Sequence, residues 1–366
     1  MALWLLDMLN TFYVPVVIYL GLVGNLLSLV TFFLTHLRSR TSSLYMGSLA
    51  ISDAGFLFVL SFAWLQERGV NVSEQVNGQG WCQILVFLSS AFSCCSVWLT
   101  VGFTAERFMA VRYPMWRFQL GTTKLRPKTA IIATAVCSFA FNAHLLIFVS
   151  VRQVEGGFEE CGLDPQYEDA LYYINILDTV LTLIVPFVLI TVMNAMIIKA
   201  VYLFYARYKH RAAMAIDGEQ LKTPGGGAAE GDQAKEPSRT PERSHSVDAT
   251  HHNDASATVP NNLKIGVTRM LLVISTVFLL LNLPSYVTRI YVFVLSWGEA
   301  ESQDGPSSGS LPYILQRYFM LLYYTNFAIN FVLYNASSRM FRRTMRKYLR
   351  DRWTAELNCK FSTLPK

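Results

Sequence analysis

Apolar residues along the chain gather into seven runs, near 13–34, 44–66, 82–105, 129–151, 172–198, 268–296 and 313–336. A hydrocarbon core of roughly 30 Å takes about 20 helical residues, each rising about 1.5 Å. The pattern therefore predicts an all-α membrane protein: a seven-transmembrane helix bundle over residues 13–350, with a tail at 1–12 and another at 351–366. Seven crossings leave the two ends on opposite sides. Between about 206 and 262 the apolar pattern gives way to Gly, Pro, Ser and charge, which predicts a disordered loop. After the seventh run, Phe341, Met345, Tyr348 and Leu349 recur on one helical face, with Arg342, Arg343, Arg346, Lys347 and Arg350 on the other. That spacing predicts a short amphipathic helix lying on the membrane surface among lipid headgroups.

Charge sets the orientation. The loops after the first and third runs carry Arg38 and Arg40, then Arg112, Arg117, Lys124, Arg126 and Lys128, and should face the cytoplasm. Opposite them, Glu155, Glu159, Glu160, Asp164, Glu168 and Asp169 stand against the single Arg152. The N-terminus is thus expected outside and the C-terminus inside, in a multi-pass protein of the plasma membrane. The net charge of +6 reads as orientation signal and lipid contact, with no nucleic-acid partner. Asn71-Val-Ser73 is an outward-facing glycosylation sequon. Cys94, Cys95 and Cys137 fall inside runs and read as packing. Cys82 and Cys161 lie on the oxidising side, where a disulfide between them would tie the long outer loop over the bundle. No nucleophile motif, phosphate loop or metal-spaced His/Cys set is present, so an enzyme has no support. No internal repeat favours a transporter built from duplicated halves.

Polar residues inside hydrocarbon must face the bundle and find partners. Asn25, Asp53, Ser96, Asn326 and Asn330 come from four different runs. The stretch Ile84 to Ala105 carries no charge and closes on Glu106-Arg107, with Pro114 downstream. This resembles the Asp/Glu-Arg-Tyr motif of the rhodopsin-like (class A) G protein-coupled receptors, with Phe108 in place of tyrosine. Asn330-Phe331-Val332-Leu333-Tyr334 is similar to that family's Asn-Pro-x-x-Tyr, and Phe278 to Pro284 is similar to its Phe-x-x-Cys-Trp-x-Pro, with Asn282 replacing the tryptophan. Asn25, Asp53, Pro186 and the Cys82/Cys161 pair match in order. FLLLNLPSY with Arg289, together with TNFAINFVLY, is similar to invertebrate neuropeptide receptors of the FMRFamide, CNMamide and thyrotropin-releasing-hormone-like group.

The resemblance implies a receptor whose extracellular ligand shifts the bundle towards a state that activates a heterotrimeric G protein. Glu106, Arg107, Phe278, Pro284, Asn330 and Tyr334 would form the switch, Met115 would touch the G protein, and receptor kinases and arrestin would be further partners. It also implies an allosteric sodium ion on Asp53, Ser96, Asn326 and Asn330; an uncharged hydrogen-bonded cluster with Asp53 protonated is the alternative. No other cofactor is expected. Ser89 stands where amine receptors carry aspartate, and no lysine occurs from Tyr318 to Ser338 for a retinal Schiff base. Acidic loops, including Glu299, Glu301 and Asp304, favour a basic ligand. A cationic group on Asp178 and a carbonyl or amide end on Arg289 would suit a short, C-terminally amidated peptide, unless the two side chains pair with each other. Gln83, Ser89, Asn282, Tyr286, Gln316, Met320 and Tyr324 are further candidates for the cavity wall. A receptor for a lipid or other non-peptide ligand is the alternative within the class, and a channel or transporter the alternative outside it.

Overall fold

The computed structural model describes residues 2–68, 79–113, 125–154, 158–220, 258–298 and 311–362. The chain divides into two compact units, Met1–Ile197 with Gly266–Lys366, and Ile198–Ile265. The first unit carries the helix bundle. Its elements are α1 (Ala2–Phe33), α2 (Thr41–Glu67), α3 (Gln79–Arg112), α4 (Leu125–Asn142), the single turn α5 (Leu145–Phe148) and α6 (Glu168–Asp178). A π-helical turn, Thr179–Ile184, leads from α6 into α7 (Val185–Gln220); α8 (Thr258–Gly298), α9 (Leu311–Ser337) and α10 (Arg339–Ser362) follow. Parts of α7 and α8 belong to the second unit.

Among the described residues, six helices are long and apolar enough to cross a membrane: Leu3–Phe33, Thr41–Gln66, Gly80–Arg112, Pro127–Phe148, Tyr172–Arg207 and Leu272–Val292. α9 matches them in length at 27 residues but is more polar, carrying Gln316, Arg317, Asn326 and Asn330. Large apolar side chains such as Phe58, Ile132, Val136 and Leu280 stay exposed, as a lipid-facing surface requires. Inside, Phe32, Tyr45, Leu99, Phe103, Ile274, Tyr334 and Phe341 pack into one buried cluster. Small residues set the closest approach of α1 and α9. A Cβ on Gly21 would lie 2.8 Å from that of Ala328, and one on Gly24 would lie 2.9 Å from that of Phe331. Neither position has room for a side chain.

The structure extends several expected boundaries. α1 begins at Ala2, so the stretch expected as a tail continues the first helix; Ala2 to Phe12 contains no Pro or Gly to stop it. α7 runs to Gln220 and α8 starts at Thr258, so both ends of the expected loop are helical, and the Pro224-Gly225 breaker lies outside the described residues. α10 continues to Ser362, through residues expected as tail, over a stretch equally free of Pro and Gly. The fourth run is shorter than expected as helix. Its last residues enter β1 (Val149–Val154), which pairs antiparallel with β2 (Phe158–Leu163), Val151 opposite Cys161. The Cys82–Cys161 disulfide fastens this hairpin to the start of α3, as the cysteine map predicts.

Candidate functional site

A cavity of about 740 Å³ opens between the helices beneath the disulfide. Its wall includes Gln66 of α2, Ser89, Ser93 and Cys94 of α3, Asp178 of α6, Thr182 of the π turn, Tyr286 and Arg289 of α8, and Gln316, Arg317, Met320, Tyr323 and Tyr324 of α9. The volume is that of a small-molecule or peptide-end site. Proline explains part of its shape: Pro186 has no N–H to donate, and the helix leading to it passes through the π turn at Thr179–Ile184. Thr182 Oγ1 donates to the Asp178 carbonyl at 2.7 Å and helps to satisfy this irregular backbone.

Asp178 and Arg289 face each other across the wall. Arg289 Nη2 donates to Asp178 Oδ2 at 2.8 Å and to Asn175 Oδ1 at 3.2 Å. The pair is neither buried nor fully wet, with side-chain exposures of 45% for Arg289 and 21% for Asp178. Of the alternatives raised by the sequence, mutual pairing is the one this structure contains. Ser89, Tyr286, Gln316, Met320 and Tyr324 line the cavity with them. Gln83 does not. Its Nε2 donates to the Val149 carbonyl at 2.9 Å and holds the β hairpin against α3. Asn282 also turns away from that role: it is 1% exposed, and its amide folds back onto the Phe278 carbonyl at 2.7 Å. The amide oxygen of Asn282 has no hydrogen-bond partner among the described residues.

Deeper in the bundle, Asp53 is fully buried. Ser96 Oγ donates to its Oδ1 at 2.6 Å and Asn330 Nδ2 to its Oδ2 at 2.7 Å. Asn25 Nδ2 donates to the Phe327 carbonyl at 2.9 Å, tying α1 to α9. Asn326 is buried at 4% exposure. Three of the four expected ion ligands thus meet directly; the hydrogen bonds that join the cluster run between Asp53, Ser96 and Asn330. Here Ser96 and Asn330 turn donors towards the carboxylate; carboxylate, hydroxyl and amide oxygens, which these side chains also carry, are ligand types that suit a small, hard cation.

At the other end, Arg107 and Glu106 approach to 3.2 Å, both mostly buried. Tyr334 is fully buried, its ring edge-on to Phe32 at 5.3 Å and 5.8 Å from Phe341. Its hydroxyl lacks a hydrogen-bond partner among the described residues. Phe278 packs with Val97, Val101 and Ile190. Met115 and Asn71 lie outside the described residues, as do the acidic positions Glu299, Glu301 and Asp304.

Several wall residues escaped the sequence reading: Gln66, Ser93, Arg317 and Tyr323. Tyr323 hydrogen-bonds Ser93 across the cavity, linking α9 to α3. Helical spacing held the signal for Tyr323, because Gln316, Met320 and Tyr323 recur at intervals of four and three. Another bond without sequence forewarning joins α7 to α8. Asn194 Nδ2 donates to Ser275 Oγ at 2.9 Å, and the two groups return the bond at 3.1 Å.

The family model described as 7 transmembrane receptor (rhodopsin family) matches residues 24–334. Proteinase-activated receptor 1 of Xenopus laevis is 33% identical over 118 residues, 31% of this chain and 27% of that protein. The galanin-like G-protein coupled receptor npr-9 of Caenorhabditis elegans is 30% identical over 118 residues, 32% of this chain and 26% of that protein. Melanin-concentrating hormone receptor 2 of Macaca fascicularis is 26% identical over 194 residues, 52% of this chain and 54% of that protein. The chain therefore spans from about a quarter to about half of the length of these curated relatives.

Proposed function

The chain belongs to the rhodopsin family of seven-transmembrane receptors, and from that membership we propose that it receives an extracellular neuropeptide and passes the signal to a heterotrimeric G protein. The family is one of receptors and not of enzymes. The observation that carries the peptide reading is the cavity of about 740 Å³ with an opposed carboxylate and guanidinium on its wall. A polar end group of a peptide matches such a wall, and tyrosines at 286, 323 and 324 offer its side chains aromatic surface. Peptide receptors among the relatives, including those named for galanin and melanin-concentrating hormone, point the same way. In this reading the N-terminus is extracellular, the C-terminus is cytoplasmic, and the acidic outer loops draw in a basic ligand.

The ligand acts by differential affinity: it binds one arrangement of the bundle better and raises that arrangement's population. Arg107, held beside Glu106 at 3.2 Å, is the group released to the G protein. Asp53, Ser96, Asn326 and Asn330 would hold a sodium ion, which supplies a fixed positive charge between α2, α3 and α9 and so favours their present packing. Met115 is the proposed apolar contact for the G protein, and receptor kinases and arrestin would act on the same cytoplasmic face.

The test is expression in cells reporting calcium and cyclic AMP, challenged with a panel of amidated neuropeptides. The expected result is a saturable response to at least one peptide that Arg107→Ala abolishes without loss of surface expression. Silence to every peptide from a receptor that reaches the surface would remove the peptide reading and favour a lipid or other non-peptide ligand. Currents or flux without a G protein would indicate a channel or transporter.

A further inference from the structure

We propose that the Asp178–Arg289 pair acts as one unit that reads a primary carboxamide, the chemical group at the end of a C-terminally amidated peptide. This inference rests on the peptide reading above and specifies its chemistry. Arg289 commits a single nitrogen, Nη2, to both Asp178 and Asn175. Its Nη1 and Nε hydrogens have no hydrogen-bond acceptor among the described residues. Asp178 likewise commits Oδ2, and its Oδ1 accepts no hydrogen bond among those residues. The remaining capacity is a guanidinium donor beside a carboxylate acceptor, on the wall of a cavity that both residues line.

Each ligand group meets this edge differently. An ammonium satisfies Asp178 and is repelled by Arg289. A carboxylate satisfies Arg289 and is repelled by Asp178. A neutral group carrying an acceptor and a donor side by side satisfies both without opening the pair. An ordinary trans peptide bond fails, because its N–H and C=O point in opposite directions. A primary carboxamide succeeds: it keeps one N–H on the same side as its carbonyl, so the oxygen accepts from Arg289 while that N–H donates to Asp178 Oδ1. Charge assistance strengthens both bonds, since each involves an ionised partner. The sequence alone suggested separate ligand groups for Asp178 and Arg289. Their 2.8 Å contact makes a single shared group the better match.

Three probes test this on the purified full-length receptor by thermal shift: N-acetyl-phenylalaninamide, the corresponding free acid, and the corresponding N-methylamide, whose remaining N–H points away from the carbonyl. The primary amide is expected to stabilise the receptor at a concentration about ten-fold below that required by either relative, the discrimination of a site left with an unpaired polar group. In Asp178→Asn the order should invert between amide and acid, because the repelling carboxylate is gone. Equal shifts from all three probes, a preference for the acid in the native chain, or no shift from any of them would overturn the proposal. The measurement involves no G protein. A peptide that activates cells equally well as amide and as acid would sink this inference while leaving the peptide-receptor reading intact.

Discussion

Asp53 shows how much one side chain can organise. Both of its oxygens are taken by hydroxyl and amide donors from two other helices, so the carboxylate joins α2, α3 and α9 at one fully buried point. If the same oxygens also serve a cation, the receptor will melt about 2–5 °C higher in sodium chloride than in choline chloride of equal ionic strength. Asp53→Asn will erase that difference. Identical melting of the native chain in the two salts would exclude the ion. This cluster was legible in the sequence because charge and amide inside an apolar run have few explanations. Asn282 was less legible. Its place at the motif's tryptophan position suggested the cavity wall, yet a short amide reaches back to its own helix and bonds the Phe278 carbonyl, so the side chain never arrives there.

Helices were legible in number and position, because each crossing needs its own long apolar stretch, but their ends were not. Hydropathy reports where lipid begins, whereas a helix continues until a residue breaks it; α10 passes beyond Arg350 for that reason. The β hairpin was likewise hidden, since a strand of six residues following an apolar run looks like more of the run. Contacts between helices depend on absence of side chain as much as on its presence. Gly21 lies where α1 meets Ala328 and Leu57, with no space for a methyl group. Gly21→Val will push α1 from α9 and cost about 1–3 kcal/mol, read as a lower melting temperature and reduced surface expression. A variant as stable as the native chain would show that α1 shifts freely. The exchange of bonds between Asn194 and Ser275 fastens α7 to α8 from buried positions, and no spacing rule announces it, because the partners are 81 residues apart.

Among the described residues, the bundle's polar groups include the cavity pair, the Asp53 set, the Asn194–Ser275 pair and the Glu106-Arg107 end. Apolar packing accompanies them, with Phe278, Val97, Val101 and Ile190 in one cluster and Phe327, Phe56 and Leu57 in another. The last turn of α9 has a further consequence for anyone shortening the gene. Arg342 donates to the Asn335 carbonyl and, at 2.9 Å, to the Ala336 carbonyl, while Phe341 packs on Phe32 at 5.2 Å. A stop codon after residue 350 keeps this clamp and should yield monodisperse protein on size exclusion, whereas one after residue 338 removes it and should yield aggregate; equal profiles for the two truncations would show that α9 holds its own end.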